Sequence, residues 1–195
     1  MKRPVIALAI AGLAANAAAL AAPIVADGSF EQPALRAGGY EYGVQNGAQH
    51  SSNGINARAA GVTFGNGAGV QSNGSAWNFT PAPAGRQTAF LQSYANQTPG
   101  RITLAVSGLT PGKSYAISFH CANRGGYDVA PVTVAFDRAS LGSFTPGSTR
   151  WEKVTTASFM ASTSKGTITL SVAPGSGDSD IGIDAVTVTS EDSAG

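Results

Sequence analysis

Three stretches set aromatic rings beside planar polar side chains. Trp77 is followed by Asn78, Tyr94 stands between Ser93 and Ala95, and residues 123–128 bring Asn123, Arg124, Tyr127 and Asp128 into one glycine-rich segment. An aromatic face matches the C–H side of a sugar ring. A guanidinium or a carboxylate bridges two neighbouring hydroxyls. These residue types therefore suit non-covalent sugar recognition. Each also has a plainer use. Trp77 suits packing at the edge of a sheet, Arg124 suits a pair with a buried acid, and Trp151 suits packing at the start of a strand.

Bond-breaking chemistry finds less support. Glycoside hydrolysis needs two facing carboxylates, and nothing in the spacing of Glu41, Asp128 and Glu152 pairs them. The two histidines, His50 and His120, lack a second His or a Cys at metal-ligand spacing. Neither a nucleophile elbow nor a phosphate-binding loop occurs. The expectation is a protein that is not an enzyme. Cys121 is the one cysteine, so no intramolecular disulfide forms. Its place on the apolar side of a strand reads as a small buried hydrophobe.

The elements that must carry these residues are strands. Residues 114–121 alternate: Tyr115, Ile117, Phe119 and Cys121 share one face, and Ser114, Ala116, Ser118 and His120 share the other. A Leu-Thr-Pro-Gly turn precedes them at residues 109–112, and a polar loop is expected from Ala122. The same period recurs in Ile102/Leu104/Val106, Val132/Val134/Phe136 and Ile168/Leu170/Val172. Shorter strands are expected at residues 23–26, near Tyr40, and at 61–64, 87–92 and 141–144. A longer threonine-rich strand is expected at 151–159, and a last one at 181–189. Such spacing, with Gly, Pro and Asn between, predicts an all-β, two-sheet antiparallel sandwich over residues 23–190.

Only 12% of the 195 residues are charged, and 25 are glycine. That balance fits an exported β protein. Residues 1–22 read as a signal peptide: Lys2 and Arg3, an apolar run, then Ala19-Leu20-Ala21 as a small-residue cleavage site. The run is marginally short for a membrane span. Cleavage removes two of the 12 basic residues and leaves the 11 acidic ones, so the net charge moves from +1 to −1. Nucleic acid and anionic membrane surfaces are therefore not expected partners. Residues 191–195 read as a short tail, and the expected product is a monomer released to the periplasm or medium.

Several motifs in order resemble one family. They are Asp-Gly-Ser-Phe-Glu-Gln-Pro at 27–33, Gly-Val-Thr-Phe…Gly-Val at 61–70 and Ala-Phe-Leu-Gln at 89–92. Residues 107–119 with Arg124, and Ile-Asp-Ala-Val at 183–186, complete the set. Together they resemble bacterial extracellular jelly-roll domains of the galactose-binding-like superfamily. Two departures stand out. Val62 occupies a position where the family carries Trp, and Pro99 interrupts a strand pattern in residues 96–100. The resemblance implies a carbohydrate-binding module with polysaccharide or glycan as partner. The alternative is an extracellular adhesion or matrix protein without a sugar site. It also implies a structural Ca²⁺ where the N-terminal segment meets the last strand. Glu31 and Asp184 are the matching ligands, Asp27 is an addition, and Asp178 and Asp180 are further oxygen donors nearby.

Overall fold

The computed structural model describes residues 21–43, 57–94, 98–174 and 177–191. Nearly all of the signal segment, His50 and residues 96–97 lie outside the described residues. Alternating sequences close into two antiparallel sheets because the apolar face of each strand has to be buried against that of another sheet. The six-stranded sheet contains β1 (Ile24–Val25), β3 (Val62–Gly65), β6 (Arg101–Ser107), β8 (Val132–Phe136), β9 (Ala139–Phe144) and β12 (Lys165–Val172). Its order is β1-β6-β12-β8-β9, with β3 also on β6. The seven-stranded sheet contains β2 (Tyr40–Tyr42), β4 (Ala68–Ser72), β5 (Gln87–Ser93), β7 (Ser114–Asn123), β10 (Glu152–Thr155), β11 (Phe159–Met160) and β13 (Ser179–Ser190). Its order is β10-β7-β13-β5-β4-β2, with β11 also on β7.

The core lies between the sheets. Ile102, Leu104, Ile168, Leu170, Val132 and Val134 from one side meet Ala89, Leu91, Ile117, Phe119, Cys121, Ile181 and Ile183 from the other. Each fully buried large aliphatic side chain contributes about 1.5–3 kcal/mol. A second apolar layer covers the opposite face of the seven-stranded sheet. There Phe90 and Ala122 pack with Trp77 and Phe79 from the 73–85 segment, flanked by Tyr40, Tyr42 and Trp151. Between this layer and the core all seven residues of β5 are buried, so that strand shows no exposed-buried alternation.

Four expectations are corrected. The strand expected at 151–159 is two, β10 and β11. Thr156 interrupts the ladder: its N–H donates to Ile117 O, but its hydroxyl, in place of a carbonyl, accepts from Ile117 N at 3.2 Å. The expected polar loop begins at Arg124, because Ala122 and Asn123 still pair with Gly182 and Ile181. β4 falls in a glycine-rich stretch that showed no strand signal. Gly69 is required there, since a Cβ would lie 2.1 Å from Glu41 O and 2.5 Å from Phe90 Cζ. The last strand starts at Ser179 and carries a bulge between Asp184 and Thr187, with Ala185 at φ 51°. The bulge turns Val186 N toward Gly28 O at 2.8 Å and so docks the N-terminal segment.

Candidate functional site

The outward row of β13 reads Asp180, Gly182, Asp184, and both carboxylates are fully buried. They anchor a strap, residues 76–84, laid across the sheet. At one end Arg124 Nη1 pairs with Asp180 Oδ2 at 2.9 Å while its Nη2 donates to Ala76 O at 2.8 Å. At the other end Ala84 N donates to Asp184 Oδ2 at 2.8 Å. Gly182 lies between the two anchors. Its missing side chain leaves room for Trp151 and Phe79, whose nearest atoms lie 2.6 and 3.1 Å from where a Cβ would sit. Trp151 Nε1 donates to Thr80 O at 3.1 Å and fastens the middle of the strap.

This geometry decides the role of Trp77. The ring is 4% exposed. Phe90 stacks on it with centroids 3.8 Å apart, and the Arg124 guanidinium lies 4.8 Å from its centroid. It therefore presents no open face to a sugar and holds the strap down. Asn78 is exposed and takes a left-handed turn position at φ 54°, with its N–H bonded to Ser75 O. Of the two uses open to Arg124, the structure shows the pair with a buried acid.

Tyr94, Arg124, Tyr127 and Asp128 come together at one rim of the seven-stranded sheet, where β5 and β7 end and β13 begins. Tyr94 and Tyr127 are 42% and 37% exposed. The Arg124 guanidinium lies 3.9 Å from the Tyr127 ring centroid. Asp128 N donates to Asp178 O at 2.9 Å. Behind the tyrosines runs a chain of polar contacts. Tyr42 Oη donates to Gln92 Oε1 at 2.6 Å, Gln92 Nε2 donates to Asp178 Oδ1 at 3.1 Å, and the Tyr94 hydroxyl also engages Asp178. Asp180 sits deepest. Burial, reinforced by the charge of Asp178, pushes its carboxyl up to about 6 despite the Arg124 bond. Its Oδ1 is buried and has no hydrogen-bond partner among the described residues.

The sequence reading sets Tyr94, Arg124, Tyr127 and Asp128 beside Trp77 and Asn78 as sugar-facing residues, and Asp178 and Asp180 only as further oxygen donors for a metal. Gln92 and Tyr42 it does not name for this site. Gln92 enters the sequence reading only as the end of the Ala-Phe-Leu-Gln motif at 89–92.

The three acids assigned to calcium lie at the opposite end of the strap. Asp27 accepts the N–H groups of Glu31 and Gln32 at 3.0 and 3.1 Å, and so caps its own turn. Glu31 Oε1 accepts from Arg86 N and Gln87 N, both at 2.9 Å. Asp184 Oδ1 accepts from Ala185 N at 2.6 Å. Burial first, then the charge of Glu31, pushes the Asp184 carboxyl up to about 7. No group of three or more His, Cys, Asp or Glu side chains among the described residues is arranged to hold a metal ion. The oxygens of Glu31 and Asp184 still keep lone pairs, so a cation there would rest on two carboxylates and on backbone carbonyls.

No family model matches this chain, and no curated protein matches it either. Solved structures do. The K2 cleaved adhesin domain of Lys-gingipain is 14% identical, with a TM-score of 0.51, over 71% of this chain and 95% of that one. The xylan-binding CBM22-1 domain of Paenibacillus barcinonensis Xyn10C is 14% identical with a TM-score of 0.47, over 67% and 85%. TmCBM61, solved in complex with β-1,4-galactotriose, is 14% identical with a TM-score of 0.46, over 67% and 88%. At 14% identity the likeness to the adhesin domain is one of fold alone, a two-sheet β-sandwich.

Proposed function

We propose that this chain is a non-catalytic glycan-binding domain whose contact surface is the rim formed by Tyr94, Arg124, Tyr127, Asp128 and Asp178. The observation that carries this reading is two exposed tyrosine rings on a prebuilt network of carboxylate, amide and guanidinium groups. Rings give a sugar its apolar contact, and fixed polar groups give orientation with little ordering cost. The strap covers the outer sheet face, which favours the rim as the place where a glycan lands. Residues 1–22 would carry the chain out of the cytoplasm, and it would act there as a monomer.

A glycan array probed with wild type, Tyr94→Ala and Tyr127→Ala tests the reading. Each substitution should weaken binding about tenfold with an unchanged melting temperature. Absence of binding to every glycan would favour the adhesion or matrix alternative.

The proposal includes one structural Ca²⁺ shared by Glu31 and Asp184, with Asp27 serving the turn beside it. Its support is the mutual repulsion of two neighbouring carboxylates, one of them fully buried. Bound calcium would neutralise them and pin the N-terminal segment to the bulge of β13. Calcium should then raise the melting temperature of wild type and leave that of Glu31→Gln unchanged. Equal behaviour of the two proteins would remove the ion from the proposal.

A further inference from the structure

The rim has an uneven charge. Three carboxylates, Asp128, Asp178 and Asp180, share this rim with one guanidinium, which pairs with Asp180. Asp128 and Asp178 are joined through the backbone, and the space beside Gly177 is filled by Asp128, whose Oδ2 lies 1.9 Å from a would-be Cβ. The Arg124 charge is already matched. The guanidinium pairs with Asp180, donates to Ala76 O, and lies against the rings of Trp77 and Tyr127. The neighbouring loop changes little, since it reaches Asn123 through Ser148 O and carries one Arg, Arg150, ahead of one Glu, Glu152. Fully buried Asp180 keeps one oxygen, Oδ1, without a hydrogen-bond partner among the described residues. Among the described residues the rim is therefore short of positive charge and of hydrogen-bond donors. An ammonium group supplies both, and the exposed Tyr94 ring attracts it through its π face, whereas Tyr127 already carries the Arg124 guanidinium on one face.

Resting on the glycan-binding reading, we propose that the rim selects glycans that carry protonated amines, such as de-N-acetylated hexosamine chains, and rejects uronate or sulfated chains. A uronate would bring its charge against exposed Asp128 and half-buried Asp178, where like charges repel. A neutral sugar would stack on the tyrosines but leave the carboxylates without a cation. The cationic sugar satisfies rings and carboxylates together.

Calorimetric titration with three oligosaccharides of equal length tests this: N-acetylglucosamine, glucosamine and galacturonate oligomers, below the pH at which the sugar amine loses its proton. The glucosamine oligomer should bind about tenfold tighter than its acetylated form, and the galacturonate oligomer weakest. High salt should narrow the gap for wild type, a measurement that needs no variant. In Asp128→Asn/Asp178→Asn, checked for folding by its melting curve, the ratio of glucosamine to N-acetylglucosamine affinity should fall to about one. Equal or tighter binding of the acetylated or uronate oligomer overturns the charge selection and leaves glycan binding standing. Failure of all three sugars, with an oligolysine peptide captured instead, overturns both.

Discussion

Asp180 poses a contest between burial and pairing that a pH series can read. The carboxylate is fully buried, which penalises its charged form, and Arg124 at 2.9 Å favours that form. Burial wins: the carboxyl moves from 3.8 up to about 6. In the unfolded chain the group titrates near its ordinary value. The folded state therefore holds this proton over a range where the unfolded state has lost it. Stability from this group is full below about pH 4 and is lost as pH rises to about 6. Two pH units at 1.36 kcal/mol each amount to about 3 kcal/mol. The perturbation is Asp180→Asn, which removes the titration and keeps an oxygen for Arg124. Urea unfolding of both proteins from about pH 4 to about pH 7 isolates the effect, because the other titrating groups cancel in the difference. Wild type should lose about 3 kcal/mol relative to the variant over that range. Parallel profiles, or a wild type that gains on the variant as pH rises, would refute the reasoning and give the contest to Arg124.

Two further outcomes are expected. Gly182→Ala places a Cβ 2.6 Å from Trp151 Cη2. It should cost about 1–3 kcal/mol by overcrowding, and a good part of that cost should vanish in a Trp151→Ala background. A double-mutant cycle in urea that finds no coupling would show that Trp151 does not rest on this glycine. Cys121 is 1% exposed, and burial pushes its thiol up to about 12. A thiol reagent should label it only as fast as the protein unfolds, and rapid labelling of native protein would contradict its place in the core.

Much of the sandwich was legible because its strands obey a local rule. Tyr115, Ile117, Phe119 and Cys121 alternate with small or polar neighbours, and β6, β8 and β12 repeat the pattern. A period of two needs no knowledge of partners. The rule failed where a strand is covered on both faces, or where a neighbour dictated the residue. β4 was missed because Gly69 is chosen by the closeness of Glu41 and Phe90, residues distant along the chain. Thr156 ended a strand because its hydroxyl could reach Ile117 N, which depends on the neighbouring strand being there.

At the rim, sequence alone determined which residue types were on offer: tyrosines, an arginine and acids in turn-rich loops with no room for a regular core. Tertiary structure decided their work. It brought Asp180 to Arg124 across 56 residues, Gln92 to Asp178 across 86 and Tyr42 to Gln92 across 50. It also withdrew Trp77 beneath a strap and left Tyr94 and Tyr127 in the open. The reason is physical. A side chain's chemistry travels with its residue, whereas its desolvation, its partner and its exposed face are set by whatever distant segments fold against it.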